Sequence, residues 1–167
     1  FDMAPQGYQW FSLQDMTPEA RLAGAQTASP ILNSFIDVQL TKAGLSDKDL
    51  ALIGFSQGTM MALHVGLRRT APMSGILGFS GMLVGSELLA DTIQSRPPVF
   101  LAHGDADDVV PVSSLVEAVD ALEAANILVT HHISSGLGHG LDDDGISKGM
   151  EFMAEIFDVD LVSMAQE

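Results

Sequence analysis

The chain has 167 residues, 47% of them apolar and 17% charged, with 22 acidic residues against 7 basic ones and a net charge of -15. That length and balance fit a single compact domain over residues 1–167 and argue against disorder, while the negative field repels nucleic acid and anionic bilayers, so neither is expected as a partner. The absence of cysteine excludes a disulfide framework, a thiolate metal site and a cysteine nucleophile.

No window of 18 apolar residues free of charge occurs, so no spanning helix is expected. The first ten residues lack a basic region followed by an apolar core, so no signal peptide is read from them and cytoplasm is the default compartment. Residues 1–16, with Pro5, Gly7 and the aromatics Tyr8, Trp10 and Phe11, show neither helical nor strand period and read as irregular. Thr17, Pro18 and Glu19 supply a cap hydroxyl, a proline at the first helical position and an acid in the first turn. The helix they open is expected to reach about Ala43, to stop at Gly44, and to be kinked or split at Pro30.

Residues 50–55 form an apolar run without charge or proline, which predicts a strand covered on both faces. The run enters Gly54-Phe55-Ser56-Gln57-Gly58, and Met60, Met61, Leu63, Val65 and Leu67 are the apolar positions of a following helix. Arg68 and Arg69 are well placed against the negative end of that helix. A second strand is predicted over 75–79, a short helix over 87–93, and a third strand over 99–102 that ends at His103-Gly104 and an acidic loop. Ser114 and Glu117 have the spacing of a capping box for a helix reaching about Ala125. A fourth strand over 127–133, a glycine-rich loop over 134–141 and a helix over 142–157 complete the chain. Strands alternating with helices imply a parallel sheet, with chemistry gathered in the loops beyond the carboxyl ends of its strands.

Three of those loops carry candidate chemistry. A G-x-S-x-G pattern between a strand and a helix is a nucleophile elbow, a turn so tight that a Cβ at Gly54 or Gly58 is expected to collide with the adjoining chain. A serine hydroxyl is a weak nucleophile until a base takes its proton and a carboxylate orients that base. The loop after the third strand offers Asp105, Asp107 and Asp108, and the loop after the fourth offers His139 between glycines. Ser, Asp, His is the chain order of the α/β-hydrolase fold. His64, His131 and His132 lie inside predicted elements and His103 ends a strand, and all four are weaker candidates for the base. A metal-dependent hydrolase using His103, Asp105 and Asp108 stays open, as does a catalytically silent protein that only binds a ligand or partner. Asp142, Asp143 and Asp144 lack the alternating spacing of a calcium loop and read as a charged helix start.

The strings GFSQG at 54–58, AHGDADDVVP at 102–111 and GLGHG at 136–140, together with PQGYQWFS at 5–12, resemble the phospholipase/carboxylesterase family that includes acyl-protein thioesterases. The resemblance runs over about residues 3–157. It implies an α/β-hydrolase fold, a mostly parallel sheet with helices on both faces and no lid domain. It assigns Ser56 as nucleophile, His139 as base and Asp107, the second aspartate of H-G-D-x-D, as the orienting acid. Asp105 then becomes a turn residue bonding its own loop. The N–H of Gln57, the residue after the nucleophile, would bind the oxyanion. The implied activity is hydrolysis of a carboxylic ester, thioester or lysophospholipid through an acyl-enzyme, with no cofactor and no metal, and a homodimer is left open. Trp10, Met82, Val110 and Leu137 are expected, by loop position and resemblance alone, to wall the acyl site. The resemblance also implies strands and a second oxyanion loop upstream. This chain is therefore expected to be the C-terminal portion of its domain, with the first strands of the sheet missing and residues 50–55 exposed as an uncharged edge.

Overall fold

A computed structural model of the chain describes residues 7–160; the first six residues of the irregular stretch, Pro5 included, lie outside them. The elements are α1 (Pro18–Ala43), β1 (Ala51–Phe55), α2 (Gln57–Gly66), β2 (Gly75–Phe79), α3 (Leu89–Thr92), β3 (Val99–Gly104), α4 (Ser113–Ala124), β4 (Val129–Ser134) and α5 (Asp143–Phe157). All neighbouring strands are parallel, in the order β1-β2-β3-β4.

Strand side chains alternate between the two faces of the sheet, and the core divides accordingly. Ile76, Val99 and Leu101 join Leu63 of α2 and Leu115, Ala118 and Leu122 of α4 in one cluster. Their neighbours Leu77, Phe79, Phe100 and Ala102 face the other way and pack on Phe152 of α5. Helices thus cover both faces of a sheet that is parallel as the strand pattern anticipated, in the α/β-hydrolase arrangement that the resemblance implied. Among the described residues no helix is long and apolar enough to cross a membrane.

Four local expectations need correction. Helix α1 runs through Pro30 without a break. Pro30 and Gln26, whose carbonyl loses its intrahelical partner, both sit on the exposed side, where water can take the place of the missing bond. Strand β1 is not covered on both faces, with Ile53 62% and Phe55 40% exposed; among the described residues it is the edge of the sheet, as expected for a chain without the upstream strands. The Ser114 capping box does not form, because α4 starts at Ser113 out of the Pro111–Val112 turn, and the Pro111 carbonyl takes the Ser114 N–H at 2.9 Å. Of the two arginines after α2, Arg68 donates to the His64 carbonyl at 3.1 Å as a helix-end cation should, whereas Arg69 binds Asn33, Asp37 and Asp47 and ties α1 to the turn before β1.

Candidate active site

The site is assembled at the carboxyl ends of β1, β3 and β4. Ser56 follows β1 with φ 52 and ψ -116, a left-handed conformation that non-glycine residues avoid. The turn is locked from behind. Ser56 N–H donates to the Phe79 carbonyl at 2.8 Å, and the buried Thr59 hydroxyl lies 2.8 Å from the Gly54 carbonyl and 2.9 Å from the Phe79 N–H, whose bond it accepts. A Cβ at Gly54 would fall on the Gly58 carbonyl carbon and the Thr59 nitrogen. At Gly58 the expectation was wrong: an added Cβ meets nothing within 4 Å among the described residues, because that position faces away from β1.

The loops after β3 and β4 are joined before they present their side chains. Ala106 N–H donates to the Leu137 carbonyl at 3.0 Å, and Asp105 Oδ1 accepts from Gly136 N–H at 2.6 Å. Asp105 therefore does not bond its own loop; two parallel strands in register leave the following loops side by side, and the carboxylate bridges them. Ser80, buried at the end of β2 with φ 47, donates from its hydroxyl to the Gly140 carbonyl at 3.1 Å and fixes the residue after His139. Asp142 caps α5 by accepting from Gly145 N–H and from the Ser134 hydroxyl, both at 2.9 Å.

Between these anchors Ser56, His139 and Asp107 form a continuous hydrogen-bonded row. His139 Nε2 lies 3.0 Å from Ser56 Oγ, and His139 Nδ1 lies 2.8 Å from Asp107 Oδ2. The Phe55 ring covers the imidazole at a centroid distance of 4.9 Å. Asp107 is buried, and its second oxygen accepts from the N–H groups of Val109 at 2.9 Å and Val110 at 2.8 Å. Burial pushes this carboxyl up, but the bonds from His139, Val110 and Val109 together outweigh it and hold the group below its ordinary range. An ionised carboxylate at Nδ1 leaves Nε2 as an acceptor facing the hydroxyl, the arrangement in which imidazole can take the serine proton.

Among the described residues the other histidines are not bonded to Ser56. His103 is buried with Nε2 2.8 Å from the Val110 carbonyl and 3.2 Å from Asp107 Oδ2, a second contact on the acid. His132 Nε2 reaches Asp144 at 3.0 Å. His64 is buried in α2, where desolvation first and the Arg68 charge second push it down to about 4. The donors of the alternative metal site do not converge: His103 turns to Val110, Asp105 to Gly136, and Asp108 is exposed. Among the described residues no group of three or more acids and histidines is gathered to hold an ion.

Of the four residues expected to wall an acyl site, Trp10 lines a cleft of about 540 Å³ that reaches Ser56 and Gln57. Met82 lines a different cavity with Pro18 and Arg21. Val110 is buried beneath Asp107, and Leu137 is half-buried in the bridged loops. Thr59, Ser80 and the side chain of Gln57 had no motif to announce them, since each bonds backbone atoms 20 or more residues away, Thr59 alongside its nearer bond to Gly54.

Comparison with known proteins places this chain among relatives. A family model described as Phospholipase/Carboxylesterase matches residues 1–157. The chain is 30% identical over 149 residues to esterase YpfH of Escherichia coli, covering 89% of this chain and 63% of that protein. It is 27% identical over 155 residues to acyl-protein thioesterase 1 of Kluyveromyces lactis, covering 87% and 68%. The crystal structure of esterase PE8 superposes with a TM-score of 0.88 at 45% identity, over 92% of this chain and 73% of that one. The chain thus spans just under two thirds of the length of YpfH.

Proposed function

Because the chain belongs to the phospholipase/carboxylesterase family, we propose that it hydrolyses carboxylic esters, thioesters among them, through an acyl-enzyme formed on Ser56. His139 Nε2 takes the proton of Ser56 Oγ as the oxygen attacks the carbonyl carbon. The tetrahedral oxyanion accepts a hydrogen bond from Gln57 N–H, the first amide of α2, where the helix also presents its positive end. The imidazolium then protonates the leaving alkoxide or thiolate, and the acyl group stays on Ser56. Water enters, loses its proton to His139 and releases the carboxylic acid, restoring the serine. Asp107 remains ionised throughout and stabilises the imidazolium.

The observation that carries this reading is the row from Ser56 Oγ through His139 to Asp107, at 3.0 and 2.8 Å, mounted on a strained elbow. The names of the relatives, an esterase and an acyl-protein thioesterase, support the ester and thioester class. The test is labelling with a fluorophosphonate followed by peptide mass spectrometry. The adduct is expected on Ser56, with turnover unaffected by EDTA; an adduct on another residue, or turnover abolished by EDTA, contradicts the reading.

A further inference from the structure

The side chain of Gln57 fastens the segment before α1 to the elbow. Trp10 N–H donates to Gln57 Oε1 at 2.8 Å, and Gln57 Nε2 donates to the Phe11 carbonyl at 2.9 Å. The amide of Gln57 thus grips two consecutive residues of a stretch that has no regular structure of its own. Phe11 anchors the inner side of that stretch: it is buried against α1 so closely that a Cβ on Gly24 would lie 2.6 Å from its ring. Trp10 faces outward, 42% exposed, and together with Tyr8, Leu13 and Phe55 walls the cleft of about 540 Å³ that opens at Ser56. A cleft of this size with mostly apolar walls and few polar groups is of the kind that takes a small apolar ligand.

Taking Ser56 as the nucleophile, we propose that the Gln57 side chain is a clamp that holds residues 8–13 as one wall of an acyl groove and so makes the enzyme selective for extended apolar acyl chains. The direction of the chain follows from the proton path. The leaving group must lie toward His139, which protonates it, and His139 does not line the cleft. The acyl part of the substrate therefore runs the other way, between Trp10 and Phe55. Gln57 then serves twice, its N–H at the reacting oxygen and its side chain at the wall beside which the chain lies.

The experiment compares p-nitrophenyl decanoate with p-nitrophenyl acetate on the wild type, Gln57→Leu and Trp10→Ala. Gln57→Leu removes both clamp bonds, and the ratio of kcat/KM for decanoate over acetate is expected to fall about tenfold, through KM, as expected for loss of contacts made before the transition state. Trp10→Ala leaves the elbow untouched and is expected to lower the same ratio. Trp10 is the single tryptophan of the chain, so its emission reports on the wall without any turnover. It is expected to shift in Gln57→Leu, and on adding free decanoate to the wild type. An unchanged ratio and unchanged emission in folded Gln57→Leu, with acetate still turned over by the wild type, would overturn the clamp alone. Failure of the wild type to hydrolyse either ester would overturn the Ser56 reading and the acyl selectivity with it.

Discussion

Asp105 Oδ1 accepts a hydrogen bond from the backbone N–H of Gly136 at 2.6 Å, so the aspartate two positions before the buried Asp107 joins the loop after β3 to the loop that carries His139. The two carboxylates thus have different work despite their shared motif. Asp107→Asn is expected to lower kcat by about 10⁴, since an amide no longer fixes the imidazole in its productive tautomer. Asp105→Ala is expected to cost about 1 kcal/mol of stability, the value of one intramolecular hydrogen bond, with a much smaller effect on kcat. Steady-state kinetics and urea melts of both variants check this; a larger kcat loss in Asp105→Ala contradicts it.

The two glycines of the elbow are not equivalent. Gly54→Ala would press a methyl into the backbone of Gly58 and Thr59, and overpacking against an immovable neighbour costs about 1–3 kcal/mol or more. Gly58 lies inside α2 with free space at its Cβ. Replacing a helical glycine by alanine stabilises by up to about 1 kcal/mol. Thermal melts are expected to show Gly54→Ala well below the wild type and Gly58→Ala at or above it.

Stability should fall on mild acidification because of His64. Its folded value is pushed down to about 4 from the ordinary 6.5, so between those pH values the unfolded chain binds a proton that the native state refuses. Stability is then present in full above pH 6.5 and is lost as the pH falls toward 4. Asp107, held below its ordinary 3.8, adds a loss of the same sign only at still lower pH. Urea midpoints measured from pH 7 to 4 are expected to decline less in His64→Gln than in the wild type; parallel curves would show that His64 is not the group responsible.

Strand β1 leaves its outer backbone groups unpaired among the described residues, and Ile53, Phe55, Leu141 and Met150 expose apolar surface beside it. Uncharged edge strands of this kind pair with other chains. Sedimentation of the 167-residue chain is expected to show concentration-dependent association, reduced in Ile53→Lys. A monomer at all concentrations would contradict this.

What could be read from the sequence follows from what each signal depends on. Strands β2 and β3 were legible because parallel strands covered by helices are unbroken apolar runs, and Ser56 because its turn demands glycine at Gly54. The placing of Asp107 and His139 in neighbouring loops followed from the order of the strands. The exposure of Ile53 was not legible from residues 50–55 themselves, which read as a covered strand; the edge was anticipated only through the upstream strands that the family resemblance implies. The role of Asp105 depends on how two loops run side by side, and the Gln57 clamp joins a side-chain amide to backbone atoms 46 and 47 residues away, which leaves no trace in residue type. That α1 is not split at Pro30 was not legible because the cost of the proline depends on which side of α1 meets solvent, and the apolar residues of that helix are spread too evenly around it to show that side.

The account rests on Ser56 being the nucleophile, and the turnover of Ser56→Ala on an activated ester such as p-nitrophenyl acetate tests it most directly. Removal of the hydroxyl is expected to lower kcat by about 10⁴ or more, with a comparable loss in His139→Ala and little further loss in the double variant, since the row acts as a unit. Turnover by Ser56→Ala equal to that of the wild type would contradict the account.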